Sequence, residues 1–189
     1  MICLFWLLIT GLLLASSLLV LAKPISEFAK LNREIEKIKG REIKENEEYS
    51  SHLIFFFQEF AQENEAYIPS DEIRVLNNLI DSYNAISEVR NPRKRTLEVL
   101  DFMIEFSEVA EKTFKPVIEG LPGKEQNRFF DLYNQILSTK QRLKKGIKKA
   151  DEVITEHNNF LESNVFFSGF NFVLRNEKKK LFQEEVENL

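Results

Sequence analysis

The chain of 189 residues carries 26 Lys and Arg against 30 Asp and Glu, with two His, one Cys and 17 Phe. Residues 1–22 contain no charged residue and no His, yet they hold the single Cys (Cys3) and the single Trp (Trp6), so every charge falls between Lys23 and Leu189. A body without Cys excludes disulfides, thiolate catalysis and Cys-ligated zinc, and a formal net charge of −4 argues against nucleic-acid binding.

Residues 1–22 read as an export signal. The run is apolar apart from Thr10, Gly11, Ser16 and Ser17 and stops at Lys23-Pro24; Val20 and Ala22 supply the small residues that signal peptidase needs before a cut. Cleavage after Ala22 leaves residues 23–189 as a single secreted helical-bundle domain. The alternative is a signal anchor over residues 2–22, because about 20 apolar residues suffice to span a bilayer. Residues 23–189 contain no Asn-x-Ser/Thr acceptor for a glycan, so stability has to come from packing, which a body of this length supplies unaided.

Apolar spacing is helical nearly throughout, with no sustained alternation. It predicts an all-α fold, an elongated antiparallel helical bundle of about five to six helices with no disulfides. Ile25, Phe28, Leu31, Ile35 and Ile38 form one stripe, and Tyr49, Leu53, Phe56, Phe57 and Phe60 resume it. Gly40 between them leaves two readings of residues 25–66, one long kinked helix or two helices in line. Tyr67-Ile68-Pro69-Ser70 marks a boundary, with Ser70 as the expected N-cap. The next segment places Ile73, Leu76, Ile80 and Tyr83 on one face and stops at Asn91-Pro92, a good cap followed by a residue preset for a first helical turn. The helix that starts there is expected to carry Leu97, Leu100, Ile104, Phe114 and Val117 inward. Gly120-Leu121-Pro122-Gly123 is the clearest turn. Beyond it Phe130, Tyr133, Leu137, Leu143, Ile147, Ala150, Ile154, His157 and Leu161 keep near-heptad spacing through a long helix, and near-heptad spacing raises homodimer formation as a way to complete a core.

Catalytic and metal chemistry find little support. His52 and His157 have no partner His one turn away, and His157 lies on its helix's apolar stripe. No Glu-x-x-His, Gly-x-Ser-x-Gly or P-loop pattern occurs, so the expectation is a protein that is not an enzyme and uses no cofactor or metal. Two other features stand out. Lys140, Arg142, Lys144, Lys145, Lys148 and Lys149 form a run without any acid, a candidate patch for an anionic glycan, a membrane headgroup or an acidic partner surface. A second basic cluster, Arg90, Arg93, Lys94 and Arg95, surrounds Pro92. Phe55, Phe56 and Phe57 stand at successive 100° steps, and Phe166, Phe167, Phe170 and Phe172 repeat the pattern, so these rings form a candidate apolar pocket, an exposed patch or a wide core.

The expected function is that of a secreted helical protein binding a macromolecular partner through its long faces, with an extracellular carrier of fatty acid or other lipid as the alternative. In size, lack of Cys and Phe-rich helical composition the body resembles small secreted lipid carriers such as the nematode fatty-acid- and retinol-binding proteins. That resemblance implies a helical lipid-binding fold and assigns no residue a role.

Overall fold

Seventeen Phe, five Pro and six Gly in a chain with helical periodicity give long helices broken at few points. The computed structural model describes residues 2–164, 179, 181 and 182, with residues 2–8, 14, 15 and 17–19 described by their backbone alone. The described residues are helical with no strand, in keeping with an all-α bundle. Helix α1 covers Ile2–Lys37, α2 Glu45–Glu63, α3 Ser70–Ser87, α4 Pro92–Val109, α5 Lys115–Ile118 and α6 Gly123–Ser163. Two π-helical segments complete the backbone, Ile38–Lys44 between α1 and α2 and Ala110–Phe114 between α4 and α5. Residue contacts divide the chain into two compact units, one made of Met1–Lys37 with Asp151–Leu181 and the other of Ile38–Ala150 with Phe182–Leu189. Among the described residues no helix is long and apolar enough to cross a membrane.

In the first unit, α1 runs through Pro24 without a break. Leu12, Leu13 and Val20 on this helix are exposed at 70%, 64% and 73%, whereas Leu31 and Ile35 are buried. On α6 the same unit buries Val153, Ile154, His157 and Leu161. The Phe28 ring packs on His157 at 5.2 Å between centroids. Asn158 then holds backbone beyond α6: its side-chain amide donates to the Lys179 carbonyl at 2.8 Å and accepts from the Lys179 N–H at 2.9 Å.

The second unit is built around Phe57, fully buried on α2. Its ring meets Phe106 of α4 at 5.1 Å, Phe114 of the second π segment at 5.2 Å and Phe129 of α6 at 5.8 Å, all edge-on. Phe106 stacks on Phe102 at 5.7 Å, and Phe102 meets Tyr83 of α3 at 5.0 Å. Edge-to-face and offset pairs at these separations are each worth about 0.5–1.5 kcal/mol beyond the area they bury. One connected set of rings therefore joins α2, α3, α4 and α6.

The π segments explain where the apolar stripe goes. Ile38 and Ile43, five residues apart, are both buried. On an α-helix they would lie about 140° apart, and i→i+5 bonding returns them to one side. Of the two readings left open by Gly40, the single helical run is the one found, with Gly40 inside the π turn. The freed backbone is partly satisfied by Asn46, whose side chain donates to the Glu42 carbonyl at 2.6 Å.

Three local expectations need correction. Pro69, not Ser70, occupies the N-cap of α3 and makes no side-chain cap; the first turn instead closes on the Pro69 carbonyl, which accepts from Glu72 and Ile73. On α4 the inward residues are Val99, Phe102, Met103 and Phe106, while Ile104 is 39% exposed. On α6 the first third buries Phe129, Leu132 and Ile136, and Phe130 is 37% exposed. The cause is the same on both helices. Thr96, Ser107 and Thr139 share the buried faces because their hydroxyls bond carbonyls of their own helices, so the true stripe contains polar positions. Asn91 caps α4 as expected, accepting from the Arg93 and Lys94 N–H groups at 3.0 and 3.4 Å, with Pro92 in the first turn.

Gly146 of α6 lies against the first π segment: a Cβ built there would meet the Glu42 carbonyl oxygen at 3.1 Å and Ile43 Cγ1 at 3.3 Å, whereas one at Gly40 would meet nothing within 4 Å. The helix-propensity gain of Ala over Gly is about 1 kcal/mol, and overpacking costs about 1–3 kcal/mol. Gly146→Ala is therefore expected to lower unfolding free energy by about 1 kcal/mol, while Gly40→Ala raises it by about 0.5 kcal/mol. Urea titration of both variants checks the opposite signs.

Candidate functional site

The basic run of α6 is tied to two other elements. Lys140 is half-buried and donates from Nζ to Ser107 Oγ at 2.8 Å, so it ties α6 to α4. Lys149 pairs with Glu42 of the first π segment. Arg142, Lys144, Lys145 and Lys148 are exposed, with Leu143, Gly146 and Ile147 buried between them. The run is a solvent-facing surface pinned at both ends.

The Phe residues also separate. Phe57 is the centre of the aromatic core, with its neighbours filled by other rings, while Phe55 and Phe56 are 56% and 46% exposed. Phe166, Phe167, Phe170 and Phe172 lie outside the described residues. The aromatic interior of the second unit thus packs on itself around Phe57.

His52 is exposed. His157 is buried, its Nδ1 lies 3.4 Å from Asn158 Oδ1, and its Nε2 has no hydrogen-bond partner among the described residues. Among the described residues no group of three or more His, Cys, Asp or Glu is placed to hold a metal ion.

A site does form where the first π segment faces the start of α4. The wide turn presents Lys39 and Lys44, and the cap at Asn91 fixes the first turn of α4 so that Arg93 and Arg95 face the same space. Together they line a cleft of about 360 Å³, floored by Ile43 and Pro92 and walled by Phe182. The guanidinium of Arg93 sits over the Phe182 ring, 6.0 Å from its centroid. Glu47 is the one acid of the lining, and it is engaged: the Thr96 hydroxyl donates to it, and the Arg95 guanidinium lies 3.7 Å away.

On the far side of that bridge a second depression of about 310 Å³ shares Lys44, Glu47 and Arg95 and extends to Tyr83 and Ser51. The Tyr83 phenol is raised from its ordinary value, chiefly by burial and secondarily by the Glu47 charge, against the lowering effect of Ser51 and Arg95. It stays a neutral hydroxyl at physiological pH.

Of these residues the sequence drew attention to Arg93 and Arg95 and missed Lys39, Lys44, Glu47, Thr96 and Phe182. The signal for the first two was the five-residue gap between Ile38 and Ile43, which only a π turn reconciles with one buried stripe. Phe182 lies beyond α6, and no local pattern links it to Arg93.

No protein-family model, curated protein or solved structure matches the chain. Function therefore rests on the residues themselves.

Burial pushes the His157 imidazole below its ordinary value of 6.5; Asn158 raises it somewhat and the Lys179 charge lowers it. The folded state therefore resists a proton that the unfolded chain accepts. Stability is full above pH 6.5 and declines as pH falls through that value, until the folded state too is protonated. His157→Phe, which keeps a ring against Phe28, is expected to flatten this decline. Urea unfolding followed from about pH 7.5 to about pH 5 measures it, and an unchanged slope would show that another group carries the effect.

Proposed function

We propose that the chain is an exported, non-catalytic helical protein that binds a macromolecular partner through the outer face of α2. The observation that carries this reading is the pair Phe55 and Phe56, which are 56% and 46% exposed beside a core already completed by Phe57, Phe60 and their neighbours. Two adjacent exposed rings that packing does not require are a costly surface unless something covers them. Aromatic side chains of this kind are also the usual anchors of protein interfaces. Tyr49, two helical turns before Phe56, is 37% exposed and donates its hydroxyl to Gln135 Oε1, so the face keeps a polar margin.

Export rests on the leader. Leu12, Leu13 and Val20 are exposed on α1, which fits a segment that contributes nothing to the core. Pro24 points the same way. Inside a helix it removes an N–H and costs about 3 kcal/mol, but in the first turn it costs almost nothing. A helix that begins at Lys23 after cleavage places Pro24 where Pro is favoured.

The carrier alternative is supported less by the aromatic interior, whose rings fill their own space, than by the cationic cleft, which has apolar walls but too little volume to enclose an acyl chain.

Two measurements test the reading. Amino-terminal sequencing of protein purified from its source is expected to begin at Lys23; a chain that keeps residues 2–22 would make it membrane-anchored. Native mass spectrometry of the same material is expected to show a complex with a second protein. Phe55→Ser with Phe56→Ser is expected to dissolve the complex while leaving the thermal midpoint within about 2 °C of the parent, since exposed substitutions change stability by less than about 0.5 kcal/mol. A ligand-bound monomer would favour the carrier, and a homodimer insensitive to the pair would remove α2 from the interface.

A further inference from the structure

Charge is not spread evenly along the chain. Residues 45–73 hold eight of the 30 acids and no Lys or Arg, so the rest of the chain is net positive although the whole carries −4. Five of those eight acids stand on α2, the helix that exposes Phe55 and Phe56.

At 100° per residue the outer side of α2 forms one strip about 100° wide. Glu45 and Glu48 stand at its start, Phe55 and Phe56 toward its middle, and Glu59 and Glu63 at its end. The two rings meet each other edge-on at 6.5 Å between centroids. Glu45 and Glu59 lie about 21 Å apart along the helix axis with the rings between them. The surface is thus an aromatic centre with negative charge at both ends.

The acids are not equally committed. Glu63 is engaged by Arg128, whose guanidinium also lies over the Phe60 ring. Glu48 faces Lys44 at 3.6 Å with both side chains more than 60% exposed, a pair worth little in water. Glu45 and Glu59 make no ion pair among the described residues. A cation arriving from outside therefore meets open carboxylates on either side of the rings.

This pattern selects among the surfaces that could cover exposed rings. A bilayer is disfavoured by sign, because anionic headgroups repel a strip that ends in acids. A second copy of the chain would have to bring exposed apolar side chains together with its cations; its densest exposed cations, Arg142, Lys144 and Lys145, alternate with Leu143 and Ile147, which are buried. A helix with one apolar side and Lys or Arg toward both ends answers the rings and the acids at once. Its apolar residues at i, i+3, i+4 and i+7 lie on the aromatic pair. Opposite charge at the rim guides its approach, and burial of the rings retains it.

We propose that the outer face of α2 docks a basic amphipathic helix of another protein, whose apolar side covers Phe55 and Phe56 and whose cations pair with Glu45 and Glu48 at one end and Glu59 at the other. The proposal rests on the reading of α2 as the interaction face and adds the chemistry of the partner.

Isothermal titration of the intact protein tests it with three synthetic peptides of about 18 residues, long enough to span the strip: an amphipathic Leu/Lys helix, the same helix with Glu for every Lys, and a scrambled Leu/Lys peptide with no apolar side. The Leu/Lys helix is expected to bind, more weakly as salt rises, with the scrambled peptide about tenfold weaker and the Leu/Glu helix not bound. Phe55→Ser with Phe56→Ser is expected to abolish binding. Glu45→Lys with Glu59→Lys is expected to weaken the Leu/Lys helix about tenfold and to admit the Leu/Glu helix, a gain that a misfolded protein cannot show. Asp101→Lys with Glu105→Lys, an equal change of net charge on the exposed side of α4, is expected to alter neither. No binding of the Leu/Lys helix overturns the basic partner alone. So does binding that the Phe pair removes and the Glu pair leaves intact, since α2 then remains the interaction face. Binding that survives the Phe pair overturns the basic partner and the α2 face together. A chain that sediments as a dimer until the Phe pair is substituted assigns the face to a second copy and overturns the proposal.

Discussion

The second unit depends on the edge-on contacts that Phe57 makes with Phe106, Phe114 and Phe129. Four elements meet at one ring. The arrangement imposes a condition on the backbone: α2, α4, the second π segment and α6 must all bring a Phe to the same depth. Helices with 3.6 residues per turn do not do this over any spacing, so the chain has to adjust its turn where the spacing fails.

The two π segments are those adjustments. Ala110, Phe114 and Ile118 are all buried at intervals of four residues, each of which would overshoot by about 40° on an α-helix. A wider turn across Ala110–Phe114 absorbs part of that drift and delivers Phe114 to Phe57. The first π segment does the same for Ile38 and Ile43, and as a by-product it turns Lys39 and Lys44 toward the start of α4. The cationic cleft is thus a consequence of keeping the hydrophobic stripe in register. Core and site are coupled through one irregular turn, as π turns often are in proteins.

Periodicity and punctuation were enough to read the helical class, the cap at Asn91-Pro92, the turn at Gly120-Leu121-Pro122-Gly123 and the run through Leu143, Ile147, Ala150 and Ile154. What periodicity could not rank was a hydroxyl against a hydrocarbon. Ser107 and Thr139 satisfy themselves on their own helices and so sit in the core, which shifts the inward face of α4 away from Ile104 and that of α6 from Phe130 to Phe129. Phe56 and Phe57 could not be told apart by the sequence for a similar reason: only the position of the partners decides which of two adjacent rings is buried. The cleft was half legible, because Arg93 and Arg95 follow from the cap, whereas Phe182 arrives from far along the chain and Lys39 and Lys44 depend on a turn type that composition does not encode.

The pairing of Asn158 with residue 179 places an unequal demand on the two positions. The amide of Asn158 satisfies both the carbonyl and the N–H of Lys179, so what it recognises is main chain, the same for almost every amino acid. For this pair of bonds any residue with a backbone N–H serves at 179, Pro alone being barred, and the Lys179 side chain acts separately through its charge on His157. Position 158 has no such latitude: aspartate, equal in size, offers two acceptors and would set one of them against the carbonyl. A lineage that drifted at both sites would record this asymmetry as variety at 179 and an amide fixed at 158.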